Sequence, residues 1–158
     1  MKNIFKLMAL CAILLLMPSC KDDGPEAEKS LEVTGANLHG TWKLSEWCLE
    51  PLAEGTYCYI TFNRRDLSFE MYQNFDSMRA RRITGKIKIT HDPRRGDVIS
   101  GKYDYDNGPW NHEYIVSELL ESGSMTWIAD DDASDVSLYT RCDKVPDEIV
   151  VEAGKEED

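Results

Sequence analysis

The sequence predicts an all-β domain, an eight-stranded antiparallel up-and-down barrel, set between a disordered acidic tether and an acidic tail. Three observations predict it. Hydrophobic alternation of period two recurs in eight successive segments from Leu38 to Cys142, the links between them are short and rich in turn formers, and no convincing helical pattern interrupts them. Alternation puts one face of each strand on a core and the other in water. Short links make consecutive strands antiparallel neighbours. A meander of eight such strands has two exposed edges, and closure into a barrel removes them. An open sandwich is the alternative.

Each strand has its own signal. Gly40–Cys48 sets Trp42 and Leu44 against Thr41, Lys43 and Ser45, and Tyr57–Asn63 groups Cys58, Ile60 and Phe62. Asp66–Asn74 alternates Leu67, Phe69 and Met71 with Ser68, Glu70 and Tyr72. Ala80–Thr90 is the clearest, with Ile83, Gly85, Ile87 and Ile89 against Arg82, Thr84, Lys86 and Lys88. Asp97–Asp104 sets Ile99, Gly101 and Tyr103 against Val98, Ser100 and Lys102; His112–Ser117, Ser124–Ala129 and Val136–Cys142 complete the series. The links Arg64-Arg65, His91–Gly96, Asp106–Trp110, Glu121–Gly123 and Asp130–Asp135 carry the Gly, Pro, Asn, Asp and Ser that turns require.

The start of the chain carries an address. Lys2 and Lys6 precede an uncharged run from Leu7 to Met17. As a helix those residues cover only about 17 Å of a ~30 Å hydrocarbon core, so the run is a secretory signal rather than a span. Met17-Pro18-Ser19-Cys20 resembles a lipobox. That resemblance implies a diacylglycerol thioether on Cys20, cleavage before it, and acylation of the new amino group. The tetrapeptide Cys20-Lys21-Asp22-Asp23 resembles the export signal of surface lipoproteins in one branch of double-membraned bacteria. It implies outer-membrane attachment with display at the cell surface.

Charge narrows the partners. The chain of 158 residues has 29 acidic and 18 basic residues and a net charge of −11; residues 1–19 hold two lysines and no acid, so their loss leaves −13. Such a surface repels phosphate backbones and anionic headgroups. Nucleic acid is therefore not an expected partner, and membrane contact is expected through the lipid on Cys20. The organisation expected is a signal peptide (1–19), a flexible acidic tether (20–37), one barrel (38–142) and an acidic tail (143–158), a length suited to one domain. An eighteen-residue flexible tether would reach roughly 23 Å.

Gly40-Thr41-Trp42, opening the first strand, resembles the Gly-x-Trp signature of lipocalins, and Arg141 near the end of the last strand matches the arginine that packs across that tryptophan. The span from Leu38 to Cys142 is similar to the short lipocalin-like domains of bacterial surface lipoproteins. The resemblance implies a barrel closed at one end by Trp42 and Arg141. Two departures stand out: the second lipocalin signature, Thr-Asp-Tyr, is missing, and no C-terminal helix is apparent.

Other candidate residues follow from this topology. Cys48 ends strand one and Cys58 begins strand two at the same end of the barrel, whereas Cys142 lies about 20–25 Å away along a strand. A disulfide needs Cα atoms within about 7 Å, so Cys48–Cys58 is the favoured bridge in an oxidising compartment, with three free thiols as the alternative. His39, His91 and His112 share no metal-ligand spacing and are expected to be structural or exposed. The acids Asp130, Asp131, Asp132 and Asp135 lack calcium-loop spacing and are expected to form a solvated turn. No metal site and no cofactor is expected, and no acid, base and nucleophile converge, so an enzyme is not expected.

The inward phase carries Trp42, Phe62, Phe69, Tyr103, Tyr114 and Trp127, while Gly85 and Gly101 on the same phase are expected to leave space for a pocket. An eight-stranded barrel is either filled by side chains or holds one small ligand. In the first case the domain is an interaction or inhibitor module acting through its loops, with Trp110 as an exposed anchor on an unidentified protein partner. In the second it is a non-enzymatic binder of a small apolar or amphipathic molecule, touched by Trp47, Tyr103, Tyr114 and Trp127.

Overall fold

The computed structural model describes residues 28–156, Asp76 excepted. Cys20, the signal peptide and Lys21-Asp22-Asp23 lie outside the described residues. Nine strands form: β1 (Gly40–Trp47), β2 (Glu50–Pro51), β3 (Cys58–Phe62), β4 (Ser68–Gln73), β5 (Arg81–Asp92), β6 (Gly96–Tyr103), β7 (Tyr114–Leu119), β8 (Ser124–Ala129) and β9 (Val136–Cys142). Leaving aside β2, a two-residue flap on β1, each strand pairs antiparallel with the next, and β9 returns to pair with β1. That last pairing makes the sheet a closed eight-stranded barrel and disposes of the open sandwich.

The interior follows the alternation. Trp42, Leu44, Ile60, Phe62, Phe69, Ile87, Ile99, Met125, Trp127 and Tyr139 form one continuous buried core. Two bulges then change the phase. Between Leu44 and Glu46 the register against β9 shifts, so that Trp47 pairs with Ser137. One extra residue moves every later side chain to the other face. Trp47, rather than Glu46, therefore turns toward the barrel opening. In β7 the register shifts between Val116 and Glu118, which turns Leu119 back into the core.

Both termini are more ordered than expected. The supposed flexible tether ends early, because residues 28–37 belong to the folded body. Ser30 bridges to Leu120, the Leu31 amide donates to the Leu119 carbonyl, and Val33 is buried. A one-turn helix α1 (Gly35–Leu38) follows, capped by the Thr34 hydroxyl, which accepts from the Asn37 amide. Leu38 then sits fully buried under the barrel.

The acidic tail is likewise not wholly disordered. Helix α2 (Asp147–Ala153) packs outside the barrel, with Val145, Ile149 and Ala153 buried against Tyr59, Tyr72 and Ala80. Val145, Ile149 and Ala153 recur every four residues, an apolar stripe of helical period hidden among acids. Asp147 and Glu148 occupy the first turn, where the helix dipole favours negative charge. The C-terminal helix missed in the sequence is present.

The Cys48–Cys58 bridge does not form, and Cys48, Cys58 and Cys142 are free thiols. Register supplies the reason. Lys43 pairs with Tyr59, which puts Cys58 level with Leu44. Cys48 lies four residues further on, about 13 Å along a strand and beyond disulfide reach. Cys48 also occupies an exposed turn at positive φ, whereas Cys58 faces the core, where burial pushes its thiol up to about 12.

Candidate functional site

The two ends of the barrel differ in chemistry. At the end where β1 starts and β9 finishes, Trp42 is fully buried and its indole N–H donates to the Leu38 carbonyl at 2.8 Å. The Arg141 guanidinium carbon stands 4.2 Å from the centroid of that ring. Its two terminal nitrogens donate to the carbonyls of His39 (2.6 Å) and Asn37 (2.7 Å). Arg141 thus stacks on the indole while tying down α1 and its exit. This end is shut, as the resemblance implied.

At the opposite ends of β1, β7, β8 and β9 the barrel opens into a cavity of about 240 Å³. Trp47, Tyr103, Tyr114 and Trp127, the residues expected to touch a ligand, all line it. Trp110, Tyr139, Met71, Asn111, His112, Asp135 and Ser137 complete the wall. The rings interlock: Tyr114 and Trp127 have centroids 5.5 Å apart, Trp110 and Trp127 6.0 Å, and Trp127 and Tyr139 4.7 Å. Volume for about eight water molecules remains, given roughly 30 Å³ for each.

Two expectations about this end are corrected. Trp110 is not an exposed loop anchor. The Lys102–Pro109 bridge and the bond from the Trp110 amide to the Gly101 carbonyl lay this segment along β6, and the ring is buried. Nor do the inward glycines open space inside the barrel; near β5 and β6 there is only a hollow on the outer side, which Gly101 helps to line. A Cβ on Gly101 would lie 2.1 Å from Trp110 Cε2, and one on Gly85 2.6 Å from Phe69 Cε1. The rings occupy the space that the missing side chains vacate, and the cavity forms nearer β7, β8 and β9.

Polar groups set the character of the cavity. The indole N–H groups of Trp110 and Trp127 are buried and have no acceptor. Such a donor costs about 1–3 kcal/mol relative to one that is bonded. The Trp47 indole instead donates to Asp135 Oδ1 at 2.7 Å, holding that carboxylate at the rim. Burial pushes the Tyr114 hydroxyl up to about 12, with Asp135 adding to the shift. Tyr139 is likewise held well above the ordinary tyrosine value, mainly by burial.

The acidic turn at this rim has separate partners for its carboxylates. Asp130 accepts from Arg95, Asp131 pairs with His112 Nδ1 at 2.6 Å, and Asp132 accepts from the amide and hydroxyl of Ser134. Among the described residues no group of three or more His, Cys, Asp or Glu side chains is placed to hold a metal ion. His39 bonds the Phe62 carbonyl and His91 pairs with Asp97, so each histidine has a protein partner.

Sequence reasoning missed Tyr139 and Asp135 as cavity residues, and offered a ring folded over the barrel mouth only as the alternative to an exposed Trp110. Tyr139 was accessible, since it lies on the inward phase of β9 with Ser137. Asp135 was hidden in an acidic turn that resembles any solvated loop. Among curated proteins and among solved structures, nothing matches this chain. A family model, that of the lipocalin-like domain, matches residues 38–137. The matched span covers most of the closed barrel, including the Gly40-Thr41-Trp42 opening and the cavity wall as far as Ser137, and the chain belongs to the lipocalin-like domain family.

Proposed function

We propose that this protein is a lipid-anchored, surface-displayed binding protein that holds one small amphipathic molecule in the open end of its barrel, without catalysing its conversion. The cavity carries the reading: an aromatic chamber of about 240 Å³ whose wall includes two buried indole donors without acceptors. Ligand sites typically combine an apolar wall with a few polar groups that orient the guest. The volume suits a compact guest of one ring and its substituents, and is too small to enclose a bile acid or haem.

The first described residues and the cavity lie at opposite ends of the barrel. Lys29, Ser30 and Leu31 run beside Leu119–Glu121, next to the closed end, so the chain arrives there from the direction of Cys20. Seven residues separate Cys20 from Glu28, eight Cα–Cα steps that span at most about 29 Å. An acylated Cys20 would therefore hold the closed end near the membrane and leave the mouth facing outward.

Titration of the full chain with single-ring compounds such as 2-phenylethanol, followed by tryptophan fluorescence, tests the binding. Saturable quenching is expected, weakened at least tenfold in Trp127→Ala; a flat response would remove the proposal. Anchoring is tested by fractionation, with Cys20→Ala expected to move the protein out of the membrane fraction. Protease treatment of intact cells tests display, since a protein facing the periplasm would survive it.

A further inference from the structure

We infer that the cavity selects a small organic cation, an amine on a compact apolar or aromatic body, and rejects the corresponding carboxylate. This inference rests on the reading of the cavity as a ligand site and goes further by fixing the sign of the charge.

Among the described residues no lysine or arginine lines the cavity, and its one carboxyl side chain is Asp135. Trp47 binds one oxygen of that carboxylate and fixes its orientation at the rim. No salt bridge to Asp135 is present among the described residues, so none of their cationic side chains neutralises it by direct contact. Trp110, Tyr114, Trp127 and Tyr139 make up the aromatic part of the same wall, in contact with one another. An ammonium that meets the face of such a ring gains roughly 0.5–2 kcal/mol, whereas an anion there is repelled by the same quadrupole.

The neighbouring charges agree. His112 also lines the cavity, but its ring is paired with Asp131. Arg95, on the turn between β5 and β6, is engaged by Asp92, Glu113 and Asp130. Lys86, Lys88 and Lys102 line an adjoining hollow on the outside of β5 and β6, which shares Trp110, Asn111 and His112 with the cavity. Asp135 adds to the hold on the Tyr114 proton behind the larger effect of burial, and to that on Tyr139 behind burial, Cys58 and Tyr114. The indole donors of Trp110 and Trp127 further favour a guest with an oxygen acceptor, such as a ring hydroxyl or an ether.

The test uses the full chain and three probes that share a phenethyl group: 2-phenylethanol (neutral), phenethylamine (cation) and 3-phenylpropanoate (anion). Ligand-observed NMR follows 2-phenylethanol in the cavity while the charged probes compete for it, so that an anion bound at the outer lysines is not counted. Phenethylamine is expected to displace the neutral probe at least about tenfold more effectively than 3-phenylpropanoate does. Asp135→Asn keeps the acceptor for Trp47 and should bring the two ions within about threefold of each other. Equal displacement by both ions, or a preference that survives Asp135→Asn, would overturn the charge selection while leaving a binding cavity. If 2-phenylethanol and phenethylamine both fail to bind, the cavity is not a ligand site and both readings fall together.

Discussion

At the closed end, Trp42 lies beneath Arg141 with its indole proton given to Leu38 and the guanidinium bonded to two carbonyls. At the open end, Trp110 and Trp127 are buried almost as deeply, yet neither indole N–H has an acceptor, and space remains beside them. Both regions use large rings at strand ends, so composition does not separate them. Satisfaction does. A site whose polar groups are all bonded within the protein supports the fold; one that leaves buried donors unbonded has lost stability that only a guest or water can restore.

The comparison predicts the largest losses at the closed end. Trp42→Ala removes a fully buried indole, and urea unfolding should show a loss of about 3–5 kcal/mol. Arg141→Leu keeps apolar cover over the ring but frees the carbonyls of His39 and Asn37, and about 1.5–3 kcal/mol should be lost. The same variant should raise hydrogen exchange across residues 28–38, because Arg141 ties that segment to β9. If Arg141→Leu proved neutral, the arginine would be a surface cover and not a tie.

An intermediate effect belongs to Gly101→Ala at the open end. The new methyl would lie 2.1 Å from Trp110 Cε2, so the ring has to leave its seat. Overpacking of this kind costs about 1–3 kcal/mol. Acrylamide quenching of tryptophan should increase in the variant, and ligand titrations should weaken with it. Unchanged quenching would mean that the ring adjusts within the wall.

A smaller effect is expected in alkali. Tyr114 and Tyr139 hold their protons above the ordinary tyrosine value of about 10, mainly through burial and then through nearby groups that include Asp135. Below pH 10 both folded and unfolded chains are protonated, and the contribution is fully present. Between pH 10 and about 12 the unfolded chain releases protons that the folded one keeps, so stability falls as pH rises. Urea midpoints at pH 8, 10 and 11 should decline in that window, and Tyr139→Phe should flatten part of the decline.

The strands were legible because the pleat enforces a period of two wherever one face is buried, and Ser124–Ala129 and Val136–Cys142 match their observed bounds. The closed end was legible through Trp42 and Arg141, a pair that depends on the ends of two adjacent strands. The rest depended on departures from periodicity. The bulge that turns Trp47 to the mouth leaves no mark in an alternating pattern. The α2 stripe was masked by the acids around it, since charge density alone does not separate a solvated tail from an amphipathic helix. The expected Cys48–Cys58 bridge failed on register, which depends on pairings outside both cysteines. At the cavity, glycines on the inward phase suggested a void, but a ring from a distant turn filled it.

The smallest expected effect is also the sharpest test of the comparison. Replacing a tryptophan by benzothienylalanine exchanges the indole N–H for sulfur with almost no change of shape. At position 42 the exchange strands the buried Leu38 carbonyl, and stability should fall by about 1–3 kcal/mol. At position 127 the native N–H already has no acceptor, so the same exchange removes an unbonded buried donor and should be neutral or slightly stabilising. The ligand response should move the other way, with acceptor-bearing guests losing affinity at position 127 and remaining unaffected at position 42. Equal destabilisation at both positions would mean that the Trp127 proton is bonded in solution, by an ordered water for example. The contrast between a satisfied end and an unsatisfied one would then no longer account for where the cavity lies.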